Sequence, residues 1–294
     1  MERELFSAVK EAIRSLGRRR QDARQRHTDG TILEVYFWSV IHDRPVVWAT
    51  DPANWPRGVR RGALPSQSCM SRRLRRPALR RLIERIEARV VGLEPRASIA
   101  YVVDAKPLPI GPHSHDRQSG FGRAASVRAR GYKLHLLMTL GGAVIAWRVS
   151  PMNTDEREMA RRLLIQARVS GYVLGDANFD SSPLFDEAAA SGAQLVAPRR
   201  MGPNRGLGHH RQSPWRLRCR DLLENTVSAF GRDLFEQRRA IERIFGWLSS
   251  TSGLLTHLPA WVRTHHRVRW WVHAKLVLAA IRAQIVARNR RRVA

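Results

Sequence analysis

The chain has 294 residues, 43% of them hydrophobic, and its 52 Lys and Arg against 25 Asp and Glu leave a formal charge of +27. That excess implies a polyanionic partner, nucleic acid first, while the hydrophobic content excludes wholesale disorder. Two cysteines, Cys69 and Cys219, exclude a zinc ribbon or a disulfide framework; with no apolar run near the roughly 20 residues of a membrane span and no secretory leader at Met1-Glu2-Arg3-Glu4, a soluble protein of the reducing cytoplasm is expected.

Leu5, Phe6, Val9, Ile13 and Leu16 recur at helical spacing, and Gly17 is placed to end that helix before the basic linker Arg18-Arg19-Arg20. The apolar run from Thr31 to Val40 suits a buried helix or a strand, and helix is preferred. Residues 43–64, rich in Pro, Trp and Gly, read as irregular structure that packs Trp48 and Trp55 against the small domain. Ser66 then caps a helix whose polar face carries Arg72, Arg73, Arg75 and Arg76, and Pro77 opens a second. Two readings stand here, a helix-turn-helix over residues 30–92 and a surface helix made basic by composition; phosphate contact by the four arginines fits both.

From Ser98 the pattern becomes α/β. A short β-branched run, Ile99 to Val103, leads to Asp104, and a polar, glycine-bearing loop follows from Pro107 to Arg130. Tyr132–Thr139 and Ala143–Val149 read as a hairpin through Gly141-Gly142. Asn153 with Glu156 caps a helix to about Arg168, Tyr172–Leu174 is a strand ending at Asp176, a helix follows Pro183, and Gln194–Ala197 is the fifth strand. Residues 199–233 read as a loop-rich insertion ahead of a helix in which Ile241, Ile244, Phe245 and Leu248 form the apolar stripe, leaving Arg238, Glu242 and Trp247 off its centre. Residues 260–290 read as a basic helical tail with Trp261, Trp270 and Trp271.

The expected fold is therefore α/β, a mixed five-stranded sheet flanked by helices. A mainly helical amino-terminal DNA-binding domain (1–95) precedes this catalytic domain (96–255), and a basic helical extension (256–294) follows it. Carboxylates at two strand ends and on a later helix, Asp104, Asp176 and Glu242, offer hard oxygen ligands of the kind a pair of divalent cations takes in phosphoryl transfer.

This order of elements resembles the RNase H-like core of the DDE transposases of bacterial insertion sequences, of the insertion-sequence-four/five kind. Val103-Asp104-Ala105 resembles the first motif, Gly131-Tyr132-Lys133-Leu134-His135 the family's GYKLH strand, and Gly175-Asp176-Ala177-Asn178-Phe179-Asp180 the second motif. Arg238, Glu242 and Phe245-Gly246-Trp247-Leu248 resemble the third, in which Tyr, Arg, Glu and Lys recur at fixed intervals; here Phe235 and Ser249 stand at the Tyr and Lys positions. The likeness covers residues 98–250 strongly.

The resemblance implies a transposase that binds element ends and cuts and joins DNA strands. Asp104, Asp176 and Glu242 would hold two Mg²⁺ or Mn²⁺ ions, and Arg238 would neutralise charge near the phosphate. Element terminal repeats and target DNA would be the substrates, with a homodimer assembled on two ends and no membrane partner. Lys133 and His135 would face DNA or solvent. Two other readings remain open: an RNase H-like nuclease that cuts without joining, and a DNA-binding remnant or repressor in which the acids are relics. Zinc at His113, His115 and Asp116, at His209-His210 or at His265-His266 is a weaker reading than phosphate contact or solvation. Asp180, Asp155 and Glu156 are read as a turn cap and a helix amino terminus.

Overall fold

The computed structural model describes residues 2–16, 25–59, 62–91, 98–111, 113–124, 127–201, 211–250, 255 and 257–293. Two compact units are present, residues 1–94 with 248–294, and residues 95–247.

The first unit is helical. The Leu5, Phe6, Val9 and Ile13 stripe of α1 (Glu2–Ser15) is buried, as its spacing predicts. The run from Thr31 is a helix, α2 (Asp29–Ile41), capped by the Thr28 hydroxyl and buried on nearly every side. Residues 43–64 are not wholly irregular: α3 (Val46–Ala49) and a 3₁₀ turn at Pro52–Asn54 lie within them. Trp55 is buried and stacks on Trp38 with ring centroids 4.9 Å apart, and Phe6 meets Trp38 edge-on at 5.0 Å. Ser66 accepts from the Cys69 amide to start α4 (Gln67–Leu74), and Pro77 opens α5 (Pro77–Val91).

The carboxyl-terminal helix, α11 (His265–Val293), belongs to this unit rather than forming an extension of its own. Val268, Trp271, Val272, Val277 and Leu278 are all buried, Tyr36 meets Trp270 at 5.5 Å, and the Lys275 ammonium is sealed in an ion pair with Asp43 at 2.7 Å. Its basic composition concealed an apolar middle. Its arginines 288 and 290 are exposed beyond that stretch.

The second unit holds a six-stranded mixed sheet, one strand more than expected, flanked by helices. β1 (Ala100–Pro109) lies between β3 (Val127–Thr139), antiparallel, and β5 (Gly171–Leu174), parallel; β6 (Ala193–Val196) continues the parallel edge. β4 (Val144–Pro151) pairs with the later part of β3 and β2 (Gly120–Ala124) with its first residues. β2 is the unexpected strand. Its sequence, Gly120-Phe121-Gly122-Arg123-Ala124, carries two glycines because β-carbons there would run into Asn153 and Met152, so the segment reads as loop although it pairs as strand.

α6 (Glu156–Ala167) starts two residues later than the Asn153 cap suggested, with Asp155 accepting from the Arg157 amide. α7 (Ser182–Ala190) follows β5 through the turn after Asp176. The insertion expected to be loop contains two helices, α8 (Pro214–Glu224) and α9 (Phe230–Glu236), and a 3₁₀ turn then leads into α10 (Ala240–Ser249).

At the start of β5, Gly171 adopts φ +96°, and a β-carbon there would lie 2.5 Å from the Ile99 carbonyl oxygen. Gly171→Ala should therefore destabilise this unit by about 2 kcal/mol or more, a combination of left-handed strain and overpacking. A urea midpoint equal to that of the wild type would contradict this packing.

Candidate active site

The β1 strand does not stop at Asp104, contrary to expectation, but runs five residues further against β3. What ends there is the parallel pairing: β1 meets β5 only through Ala100, Tyr101 and Val102. Asp104 and Asp176 therefore both sit just past the carboxyl ends of paired parallel strands, where an open α/β sheet gathers its ligands. The buried run Tyr101–Val103 fixes β1 in the core and leaves Asp104 at its first half-exposed position.

The Asp104 carboxylate accepts from the Ala105 amide at 2.7 Å. Burial, helped by the negative charge of Asp176, pushes its pKa up from 3.8 to about 6, against the opposing pull of that hydrogen bond and of Arg238. Asp176 caps the 3₁₀ turn Ala177–Phe179, accepting from the Asn178 amide at 2.9 Å and from its side chain at 3.3 Å. Glu242 lies in the first turn of α10 and its side chain is 70% exposed. Arg238 joins two of the three acids: one guanidinium nitrogen is 3.8 Å from Asp104 and another 3.7 Å from Glu242. It also lies 6.0 Å over the Phe235 ring, so the Phe at the expected Tyr position serves as a platform for this arginine.

Carboxylate oxygens suit hard divalent cations. Among the described residues, however, no three His, Cys, Asp or Glu side chains converge closely enough to hold one ion. A positive group does lie between two of the acids, the Arg238 guanidinium. The donor chemistry fits metal, and Asp104, a carboxyl destabilised in its charged form, is the acid that a cation would relieve most.

Other sequence candidates settle differently. Lys133 ion-pairs with Glu156 at 2.5 Å and is largely covered. His135 is buried, 2.8 Å from the Ser150 hydroxyl, with its pKa pushed down to about 4 by burial first and Lys133 second. It therefore faces neither DNA nor solvent: it is a neutral core group, inward-pointing on a strand whose word alone could not give its side. Because its folded pKa lies below the ordinary 6.5, stability is lost as pH falls from about 6.5 towards 4. His135→Gln should remove part of that loss in urea titrations at several pH values while duplex affinity at pH 7 stays within about twofold.

Of the four arginines expected on one helix, Arg72 and Arg73 lie in α4 while Arg75 and Arg76 follow its end, and Arg73 is buried, ion-paired with Asp29 at 2.5 Å and donating to the His27 carbonyl. Arg72, Arg75 and Arg76 remain exposed. Asp116, imagined as a zinc ligand, is buried and accepts from the Tyr132 hydroxyl at 2.7 Å, while His113 and His115 are exposed; His209-His210 lie outside the described residues. Asp155, read as part of a helix amino terminus, is the residue that caps α6 in place of Asn153.

Asp180 does close the 3₁₀ turn, its amide donating to the Ala177 carbonyl, but its side chain has another use. Its side chain is 4% exposed and takes two bonds from Arg216, both 2.6 Å, plus the Arg200 amide at 3.0 Å. Sequence reasoning missed Arg216, one arginine among many in a segment read as loop. This bidentate clamp fastens the segment after Asp176 to α8, the first of the helices that lead on to α10 and Glu242.

No curated protein matches the chain closely enough to count as a relative. Residues 95–275, more than half of the chain, match the family model described as transposase DDE domain, and with a mixed sheet that sets two aspartates at its parallel strand ends the chain belongs to that family.

Proposed function

We propose that the protein is an active transposase of the insertion-sequence-four/five kind that binds the ends of its element, cleaves a DNA strand and joins the freed 3′-OH to target DNA. The observation that supports this most is Asp104: a carboxylate pushed up to about 6 by burial and by Asp176, with Arg238 reaching from it to Glu242. A carboxylate kept in so unfavourable a setting fits a group that functions with a cation beside it.

Asp104, Asp176 and Glu242 would hold the divalent metal that DDE transposases use, Mg²⁺ or Mn²⁺, and two ions are the number proposed. Such ions, when bound, polarise the phosphate and lower the pKa of water. The chain's own residues do the rest. Asp176 is locked in place by Asn178, so it keeps its orientation before substrate arrives. Arg238 offers a planar guanidinium that can leave Glu242, a weak exposed partner at 3.7 Å, for a phosphate oxygen. Exposed Arg72, Arg75 and Arg76 are proposed to contact the backbone of the element end from the helical unit, and assembly as a dimer on two ends completes the reading.

The exposed arginines in and just after α4 predict a steep salt response. Replacing Arg72, Arg75 and Arg76 together by Gln should lower the slope of log affinity against log salt by about 2 to 3 on duplex DNA. An unchanged slope would remove these three arginines from the interface. The reading as a whole is tested by incubating the protein with duplex carrying the DNA that flanks its coding region, with Mg²⁺, with Mn²⁺ and with chelator. Cleavage and joining only with metal are expected; binding without cleavage under every metal condition would favour the remnant reading, and cutting without joining the nuclease reading.

A further inference from the structure

The site's face of β1 carries a second charged residue. Lys106 follows Asp104 by two positions and so projects from the same side of the strand, and their cross-strand partners, Leu134 and Leu136, are fully buried. Lys106 is half-buried, with its ammonium 5.8 Å from the centroid of Phe245, three residues beyond Glu242 on α10.

The other lysines each meet an oxygen: Lys10 the Val59 carbonyl, Lys133 the Glu156 carboxylate and Lys275 the Asp43 carboxylate. For Lys106, among the described residues, the aromatic ring is the sole partner. A half-buried ammonium without a counter-anion is unfavourable, and a ring quadrupole offsets only part of that. Arg238, by contrast, is already engaged by Asp104 and Glu242. The position of Lys106, on the carboxylate face and between β1 and α10, thus calls for an anion that none of the described residues provides.

We propose that Lys106 binds a backbone phosphate of the DNA substrate beside the three carboxylates. The assignment rests on the strand-cleavage reading for the identity of its anion. It differs from a purely structural role, in which the ammonium would only brace α10 against β1.

The test uses duplex containing the DNA that flanks the coding region, with single neutral methylphosphonates placed in turn along the strand, and measures equilibrium binding in Ca²⁺. For the wild type, neutralising one phosphate should weaken binding about tenfold. In Lys106→Met, which keeps a long side chain on Phe245, overall binding should be about tenfold weaker and that one penalty should vanish while penalties elsewhere persist; Lys106→Arg should restore it. On nonspecific duplex the same Lys106→Met variant should lower the salt slope by about 0.9, the value for one phosphate. A Lys106→Met variant with the wild-type pattern of penalties and an unchanged salt slope overturns the proposal, even if its thermal midpoint falls. Binding that follows the expected pattern without any cleavage in Mg²⁺ or Mn²⁺ would retire the transposase reading and leave the Lys106 contact standing.

Discussion

Asp104→Asn is expected to reduce metal-dependent strand cleavage by roughly a thousandfold or more, the scale seen when one member of a catalytic set is removed. The same substitution should leave the fold intact and make it more stable at neutral pH. The reason is the sign of the shift. The folded pKa of about 6 lies above the ordinary 3.8, so the charged form is disfavoured in the fold. The resulting destabilisation is absent below pH 3.8, grows as pH rises through that window and is complete above 6. Two pKa units correspond to about 3 kcal/mol at most, so even half of it would be visible in a urea midpoint. His135 acts in the opposite direction over nearly the same range, its folded pKa being about 4, so the wild-type profile alone hides both. Comparing the two single variants separates them. An Asp104→Asn protein that is less stable than wild type at pH 8 would mean that the carboxylate is a structural acceptor whose charge the fold wants.

The second large effect is on stability. Asp180→Asn should cost about 3–5 kcal/mol, because it leaves the Arg216 guanidinium without its buried counter-charge. Replacing both partners, Asp180→Leu with Arg216→Met, should recover much of the loss, since apolar residues of similar volume can replace a buried pair. Cleavage should fall with Asp180→Asn as well, through the position of Asp176 rather than through any contact with DNA. The informative comparison is therefore at a temperature where both variants are folded: if the double variant regains stability but not cleavage, the clamp sets the site's geometry. A loss below about 1 kcal/mol for Asp180→Asn would show that water reaches the pair.

Much of this was legible in the sequence. Short apolar runs bounded by turn residues placed five of the six strands, helical spacing placed α1 and α10, and Pro77 placed the start of α5. The three acids could be singled out because each follows or interrupts an apolar pattern that has no use for a charge. What the sequence hid has physical causes. β2 carries glycines where neighbouring backbone leaves no room for a β-carbon, so it lacks the side chains that mark strands. Alternation along β3 gives two faces but does not say which is covered, and so His135 could be read as facing DNA although it is buried. In a chain with 52 basic residues, the arginines that are internal struts, Arg73 and Arg216, look like all the others until their acids are found nearby in space. The apolar run ends before Asp104 and so reads as a strand end; parallel pairing does stop at Val102, while the antiparallel partner carries β1 onward.

Arg238 joins Asp104 to Glu242, and the charge of Asp176 acts on Asp104, so the three acids are expected to work as one set. Their joint action is most directly measured by end-labelling the products formed from the flanking DNA in Mg²⁺ or Mn²⁺, with wild type, Asp104→Asn, Asp176→Asn and Glu242→Gln at matched occupancy of the duplex. The account predicts a free 3′-OH at the element boundary with the wild type alone, and bound but uncut DNA with each variant. A 3′-OH produced equally well by any one of the three variants would contradict it.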